Sequence, residues 1–123
     1  MVAPSVVSVV DDDESVRESL PDLLEQFGFA AVAFASAEDF LRSDSVARTS
    51  CLILDVAMPG MTGPELQREL ALRCHEIPIV FITAQQDAAL RPRMMARGAV
   101  ECLFKPFSDT ALLQAVTAAC GRA

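Results

Sequence analysis

The chain has 123 residues, of which 52% are hydrophobic and 22% charged, and its formal net charge is −7. This length suits one compact domain, and this share of apolar residues can bury a core, which disfavours a disordered chain. The negative charge disfavours a nucleic-acid surface, which needs clustered lysine and arginine. We therefore expect a single domain over residues 1–123, with no output domain and no direct nucleic-acid contact.

The N-terminal residues and the cysteines indicate the compartment. The first basic residue, Arg17, follows three aspartates, so the start of the chain is unlike a signal peptide. No apolar run approaches the roughly 18 residues that span a bilayer. The four cysteines are widely spaced and the chain has one histidine, which fits neither a zinc site nor a disulfide framework. We expect a soluble, cytoplasmic protein with reduced, buried thiols and no membrane contact.

Five short apolar runs alternate along the chain with five segments of helical periodicity. The runs cover residues 5–10, 31–34, 51–54, 77–82 and 101–104. Most are nearly continuous in Val, Ile, Leu or Ala, which is typical of parallel strands covered on both faces. The start and stop residues of the helical segments are Gly28, Ser36, Thr62 with Glu65, Gly98, and Ser108 or Asp109. The pattern predicts an α/β, flavodoxin-like (βα)₅ fold with a five-stranded parallel sheet of order 2-1-3-4-5.

Two prolines, Pro21 and Pro92, fall inside helical segments, where each removes an N–H and risks a kink. Proline is tolerated in a first helical turn, where its N–H would be unpaired. We therefore predict that the fourth helix begins near Arg91 and ends by Gly98. Residues 84–90 would then form a long, mobile loop or an irregular turn. The alternative is a full-length helix with a kink.

Acidic, hydroxyl and ammonium side chains follow four of the five predicted strands. Asp11 and Asp12 follow the first strand and Asp55 ends the third, while Thr83 follows the fourth and Lys105 the fifth. In a sheet of this order these ends converge where α/β proteins bind ligands. Each residue alone could be a solvated helix start, a cap or a turn residue. Their joint occurrence favours a site, and Lys105 is the only lysine in the chain.

Clustered carboxylates repel one another and need a hard cation, and Mg²⁺ takes oxygen ligands in octahedral geometry. Phosphoryl transfer requires mainly positioning and charge neutralisation. A metal, the Lys105 ammonium and the Thr83 hydroxyl would neutralise the oxygens of a phosphoryl group on Asp55. The sequence thus predicts a Mg²⁺-dependent site at which Asp55 accepts a phosphoryl group, holds it as an aspartyl phosphate and loses it to water.

Four motifs resemble those of response-regulator receiver domains in the CheY-like superfamily, with the greatest similarity to FixJ/LuxR-type regulators. They are VVDD, LDVAMPGMTG, ITA and KPF, at residues 9–12, 54–63, 82–84 and 105–107. The resemblance implies a two-component regulator that is phosphorylated by a sensor histidine kinase with Mg²⁺ or Mn²⁺ as cofactor. Its surface of helix 4, strand 5 and helix 5 would control an output domain or effector, with a transcriptional output, and phosphorylation would permit a homodimer. It would catalyse only its own phosphorylation and dephosphorylation, and so would not be an enzyme in the usual sense.

The resemblance also implies the ligands of the metal. Asp55 would be the phosphoacceptor and a ligand, Asp12 a direct ligand, and Asp11 an acid that acts through water on the metal. The backbone carbonyl of Ala57 would complete the protein ligands. Ala57 departs from the common pattern, because it has no side chain to shield the phosphoryl group.

The remaining implied roles concern the phosphoryl group and the conformational switch. Lys105 would pair with the phosphoryl group, Thr83 would bond one of its oxygens, and the Lys105–Pro106 peptide would be cis. Cys102 occupies the switch position, three residues before the lysine, where many receivers carry an aromatic residue. We expect Cys102 to be a core residue, and the conformational change to come from the loop after Thr83.

Three other functions are compatible with parts of this pattern. A haloacid-dehalogenase-like phosphohydrolase would need a second aspartate two residues after Asp55, where this chain has Ala57. An FMN-binding flavodoxin would need a phosphate loop after the first strand, where three aspartates would repel phosphate. An unphosphorylated scaffold, or pseudo-receiver, typically lacks part of the acid set, and none is missing from this sequence.

Overall fold

The computed structural model describes residues 4–121. Its five parallel strands are β1 (Val6–Val10), β2 (Ala30–Phe34), β3 (Cys51–Asp55), β4 (Ile79–Thr83) and β5 (Glu101–Phe104). Its helices are α1 (Glu14–Gln26), α2 (Ala37–Arg42), α3 (Gly63–Leu72), α4 (Leu90–Ala96) and α5 (Asp109–Cys120), with a short 3₁₀ turn at Asp44–Ala47. The sheet order is β2-β1-β3-β4-β5. This confirms the predicted flavodoxin-like fold and strand order.

The sheet separates two apolar cores. Helices α2, α3 and α4 cover one face, where Phe40 and Leu66 pack with Leu54 of β3. Helices α1 and α5 cover the other face, where Leu24 packs in a cluster with Ile53. All five residues of β3 and all five of β4 are buried, because both faces of these strands are covered. Their continuous apolar sequences therefore predicted their central position correctly.

The predicted helix starts are present. The side chains of Ser36, Thr62 and Ser108 accept hydrogen bonds from backbone N–H groups at the beginning of α2, α3 and α5. Glu65 completes a capping box, because its carboxylate accepts the N–H of Thr62 at 2.9 Å. Each cap satisfies N–H groups that have no partner inside the helix.

The two helix prolines differ in their effect. Pro21 lies inside α1, which continues through it from Glu14 to Gln26. Pro92 is the third residue of α4, which begins at Leu90, and the preceding segment from residue 84 to residue 89 is irregular. The predicted late start of this helix is confirmed to within one residue, and the full-length kinked helix is wrong.

We expect the amide hydrogens of residues 84–89 to exchange faster than those of α4. Two local bonds organise the end of this segment: the N–H of Leu90 donates to the Asp87 carbonyl, and the N–H of Ala89 to the exposed Asp87 carboxylate. Amide hydrogen exchange on the unphosphorylated protein measures the difference, with Arg97, whose N–H bonds to carbonyls in α4, as the protected reference. Strong protection at Ala88 and Ala89 would contradict the expectation.

The prediction of buried thiols is confirmed for Cys51 and Cys102, but Cys120 is only partly buried and the prediction is wrong for Cys74. All four cysteines are free, and Cys51 and Cys102 are buried, but Cys74 is exposed. Cys74 follows the last turn of α3 with φ of 62°. The N–H groups of Cys74 and His75 donate to the carbonyls of Ala71 and Leu70, which is the Schellman geometry that ends a helix and turns the chain outward. Within residues 4–121, no helix has the length and apolar character to cross a membrane.

Candidate functional site

The register of the central strands places Asp11 and Asp55 side by side. Val10, the last residue of β1, pairs with Leu54 of β3. Asp11 and Asp55, which directly follow these two residues, therefore lie next to each other at the ends of adjacent strands. Asp55 in turn pairs with Ile82 of β4. The carboxyl ends of these three strands therefore meet at one edge of the sheet, as the sequence predicted.

Three carboxylates cluster at this edge. Asp11, Asp12 and Asp55 each offer an oxygen, and these oxygens all lie within 4.8 Å of one another. The side chains of Asp11 and Asp55 are buried, whereas Asp12 is exposed and opens the cluster to solvent. Hard oxygen donors at this spacing fit a small divalent cation, which would offset their mutual repulsion.

The pKa of Asp55 reflects its surroundings. Burial, followed by the neighbouring charge of Asp11, raises the pKa of this carboxyl from 3.8 to about 7, although the charge of Lys105 and the Ala57 N–H act to lower it. That N–H donates to Oδ1 of Asp55 at 3.3 Å. Without a cation, the ionised form of Asp55 is therefore disfavoured near neutral pH.

Lys105 lies against Asp11. Its Nζ is 2.8 Å from Oδ2 of Asp11, and both side chains are largely removed from solvent. Burial alone would lower the pKa of Lys105, but the hydrogen bond to Asp11 and the charges of Asp55, Asp11 and Asp13 raise it, so the side chain is an ammonium. The peptide between Lys105 and Pro106 is cis, as predicted.

Thr83 ends β4 and is fully buried. Its hydroxyl oxygen accepts the N–H of Gln85 at 3.0 Å, and its carbonyl accepts the N–H of Lys105 at 2.7 Å. A hydroxyl that accepts one hydrogen bond still has its own hydrogen to donate. Thr83 thus joins the loop that leads to α4 and the end of β5 at a single residue.

Cys102 lies away from the carboxylates, in the core beneath α4. It pairs with Phe81 in the sheet and belongs to the apolar cluster that contains Leu90 and Met94. Burial, followed by the charge of Glu101, raises the pKa of its thiol. The prediction that Cys102 is a core residue is confirmed, and its place in a conformational switch stays a prediction.

The loop from Val56 to Thr62 connects β3 to α3 next to Asp55. A Cβ on Gly63, the first residue of α3, would overlap the carbonyl oxygen of Asp55 and crowd the Cα of Val56. The N–H of Gly63 also donates to the Val56 carbonyl at 3.0 Å. Glycine therefore lets α3 begin directly against the end of β3. Ala57 lies exposed in this loop, and the ligand role of its carbonyl stays a prediction.

Two residues that support the site were not found from the sequence. Arg17 of α1 donates from Nη1 to the backbone carbonyl of Asp11 at 3.0 Å. Glu38 of α2 accepts the N–H of Met61, in the loop after Asp55, at 3.2 Å. Both contacts join a side chain to a backbone group, so no pattern of residue types in the sequence predicts them.

Residues 7–117 match the family described as the response regulator receiver domain, and the chain belongs to that family. Nodulation protein W of Bradyrhizobium diazoefficiens is 48% identical over 96% of this chain and 52% of its own length. The transcriptional regulatory protein FixJ of Azorhizobium caulinodans is 41% identical over 94% of this chain and 55% of its own length. The chain thus spans about half the length of these relatives.

Solved structures agree with this assignment. A low-resolution structure of the response regulator StyR has a TM-score of 0.89 and 46% identity, over 98% of this chain and 61% of that one. The structure of FixJ-N has a TM-score of 0.87 and 35% identity, over 99% of this chain and 98% of that one. The family assignment decides against the phosphohydrolase and flavin-binding alternatives. A pseudo-receiver would share the family, so only phosphorylation can exclude it.

Proposed function

We propose that this receiver accepts a phosphoryl group on Asp55 from a sensor histidine kinase, with Mg²⁺ or Mn²⁺ as cofactor. The observation that carries the proposal is the cluster of Asp11, Asp12 and Asp55, with the Lys105 ammonium against it. The pKa of the buried Asp55 carboxyl in this cluster is also raised to about 7. Such perturbed groups are concentrated at functional sites.

The cation would be held by the carboxylates of Asp12 and Asp55 and by the Ala57 carbonyl, with Asp11 acting on it through bound water. When bound, it supplies charge neutralisation for the phosphoryl oxygens. An oxygen of Asp55 forms the new bond to phosphorus while the bond to the donor breaks. The site then returns to its resting state when water hydrolyses the aspartyl phosphate, so the only reaction that we assign to this domain is its own phosphorylation and dephosphorylation.

Lys105 and Thr83 would bind the remaining phosphoryl oxygens. The ammonium of Lys105 already lies at the carboxylate cluster, so it needs only to exchange Asp11 for a phosphoryl oxygen. The Thr83 hydroxyl can donate its hydrogen to another oxygen. The hydrogen bonds from both groups to a phosphoryl oxygen would be charge-assisted, and such hydrogen bonds are about twice as strong as neutral ones.

Lys105 and Thr83 would also transmit the conformational effect of phosphorylation to the surface formed by α4, β5 and α5. Any rotation of the Thr83 hydroxyl toward Asp55 changes its bond to the N–H of Gln85, at the start of the irregular segment that leads to α4. A short helix after such a segment can shift at low cost. We propose that this surface controls an output domain or effector in the cytoplasm, through a phosphorylation-dependent homodimer. A transcriptional output is supported by the name of the FixJ relative.

Acetyl phosphate with Mg²⁺ should add one hydroxylamine-labile phosphoryl group to the purified chain, as measured by intact-protein mass spectrometry. A chelator should prevent the reaction, because the carboxylates then have no cation to hold the donor's oxygens. Asp12→Ala should lose most of the uptake. Asp22→Ala, which removes an exposed carboxylate on α1 outside the cluster, is the matched control and should react like the wild type. Undiminished uptake with a chelator would contradict the proposal.

A further inference from the structure

The loop that follows Asp55 is held at both ends by hydrogen bonds to the strands and the helix that it joins or adjoins. At its start, the N–H of Val56 donates to the Ile82 carbonyl, and the N–H of Ala57 donates to Asp55. At its end, the capping box of Thr62 and Glu65 fixes the chain where α3 begins. The middle of the loop, at Gly60 and Met61, is held by a residue from another element.

That residue is Glu38, in the first turn of α2. Its Oε2 accepts the N–H of Met61 at 3.2 Å, and the side chain is half-buried. The same oxygen packs on Gly60, where a Cβ would lie only 2.9 Å from it. Gly60 has φ of 74°, a conformation that a residue with a side chain adopts at a cost. The turn at Gly60 therefore both exposes the N–H of Met61 and leaves room for the carboxylate.

The contact has a consequence for the phosphoacceptor because the loop is short. Met61 packs against the apolar cluster between the sheet and α2–α4, and Met58 belongs to that cluster. Ala57, next to Met58, presents its N–H to Asp55. A tether on Met61 thus limits the positions that the Ala57 backbone can take beside Asp55, and small misplacements of such groups have large effects on reaction rates.

We propose that Glu38 is a positioning residue for the phosphorylation site. It holds the loop of residues 56–62 through the N–H of Met61, so that the Ala57 backbone stays beside Asp55. The inference rests on the proposed function, since it assigns a role in that same reaction. Within the described part of the chain, Glu38 makes no hydrogen bond or ion pair with the cluster of carboxylates or with Lys105, so it acts through the loop.

Three variants separate the hydrogen bond from the charge. Glu38→Ala removes both, Glu38→Gln removes the charge but keeps an oxygen that can accept the Met61 N–H, and Asp39→Ala removes an adjacent charge that lies on the same helix. Asp39 is a matched control because, among residues 4–121, its exposed carboxylate pairs only with Arg42 of its own helix. Three measurements are made well below the melting temperature: Mg²⁺ affinity by calorimetry, the phosphorylation rate with acetyl phosphate, and amide exchange at Met61.

Glu38→Ala should weaken Mg²⁺ binding and slow phosphorylation by about threefold to tenfold each, the size expected for one backbone hydrogen bond. It should also speed amide exchange at Met61. Glu38→Gln should restore most of each loss, and Asp39→Ala should match the wild type. A merely structural role would lower the melting temperature and leave Mg²⁺ affinity unchanged.

The outcomes distinguish this inference from the function on which it rests. If the wild type is phosphorylated and Glu38→Ala binds Mg²⁺ and reacts equally well, the positioning role is overturned and the function stands. Equal losses in Glu38→Gln and Asp39→Ala would show a charge effect, and would also overturn it. A wild-type chain that takes up no phosphoryl group would overturn both.

Discussion

Asp55→Asn will abolish phosphoryl uptake and will stabilise the cation-free protein at about pH 8. The amide is not a nucleophile toward phosphorus, and among the three clustered carboxylates of the described residues Asp55 alone is itself the last residue of a strand. The amide is also neutral, so the charge repulsion with Asp11 disappears while an oxygen remains to accept the Ala57 N–H. The variant should therefore lose the reaction and gain stability together.

The pH dependence of this stabilisation follows from the pKa of Asp55. Burial and Asp11 raise that pKa from 3.8 to about 7, so the folded state holds a proton that the unfolded chain releases. The stability that this bound proton contributes to the folded state is fully present below about pH 4 and is lost as the pH rises through about 7. The stability difference between Asp55→Asn and the wild type should thus be small in acid and largest above neutral pH.

Urea unfolding followed by circular dichroism measures this difference, because the chain has no tryptophan or tyrosine for fluorescence. Asp44→Asn is the control, since Asp44 is exposed and its carboxylate pairs, within the described residues, only with the neighbouring Arg48. Equal stability of Asp55→Asn and the wild type at about pH 8 would contradict the raised pKa of Asp55. Phosphorylation of the variant at the wild-type rate would contradict the assignment of the phosphoacceptor.

Mg²⁺ will raise the melting temperature of the wild type at about pH 8 and will have a smaller effect at about pH 5. Preferential binding to the folded state at ten times Kd contributes about 1.4 kcal/mol, which corresponds to roughly 5 °C for a domain of this size. The effect should shrink in acid because Asp55 is then protonated and no longer a good ligand. Asp12→Ala should remove most of the response.

Differential scanning calorimetry with and without a chelator makes this measurement. Asp22→Ala, which keeps the three clustered carboxylates, should respond to Mg²⁺ like the wild type. A melting temperature that is indifferent to Mg²⁺ at about pH 8 would count against a cation site. A response that survives Asp12→Ala would place the cation elsewhere.

The strands were predictable because burial on both faces leaves a continuous apolar sequence. The predicted fourth strand, residues 77–82, nevertheless began two residues early. Pro78 has no N–H for the ladder, although its carbonyl accepts the N–H of Leu52, so the regular strand begins at Ile79. The late start of α4 was predictable because a proline suits a first turn and not a helix interior.

The main residues of the site were predictable because a parallel sheet brings the ends of its strands together. Asp11 and Lys105 lie 94 positions apart, yet topology alone places them at one edge. Their direct ion pair was not predicted, because the sequence was interpreted with a phosphoryl group between them. The Glu38–Met61 contact was also not predicted, because a hydrogen bond between a side chain and a backbone N–H does not depend on the periodicity of residue types.

Reduction with borohydride locates the phosphoryl group directly. After reaction with acetyl phosphate and Mg²⁺, borohydride reduces an aspartyl phosphate to homoserine, and peptide mass spectrometry identifies the position. We expect homoserine at position 55 alone, and none when Mg²⁺ is chelated or when the starting chain carries Asp55→Asn. Homoserine at another aspartate, or unmodified Asp55 in a phosphorylated chain, would contradict the assignment of Asp55 as the phosphoacceptor.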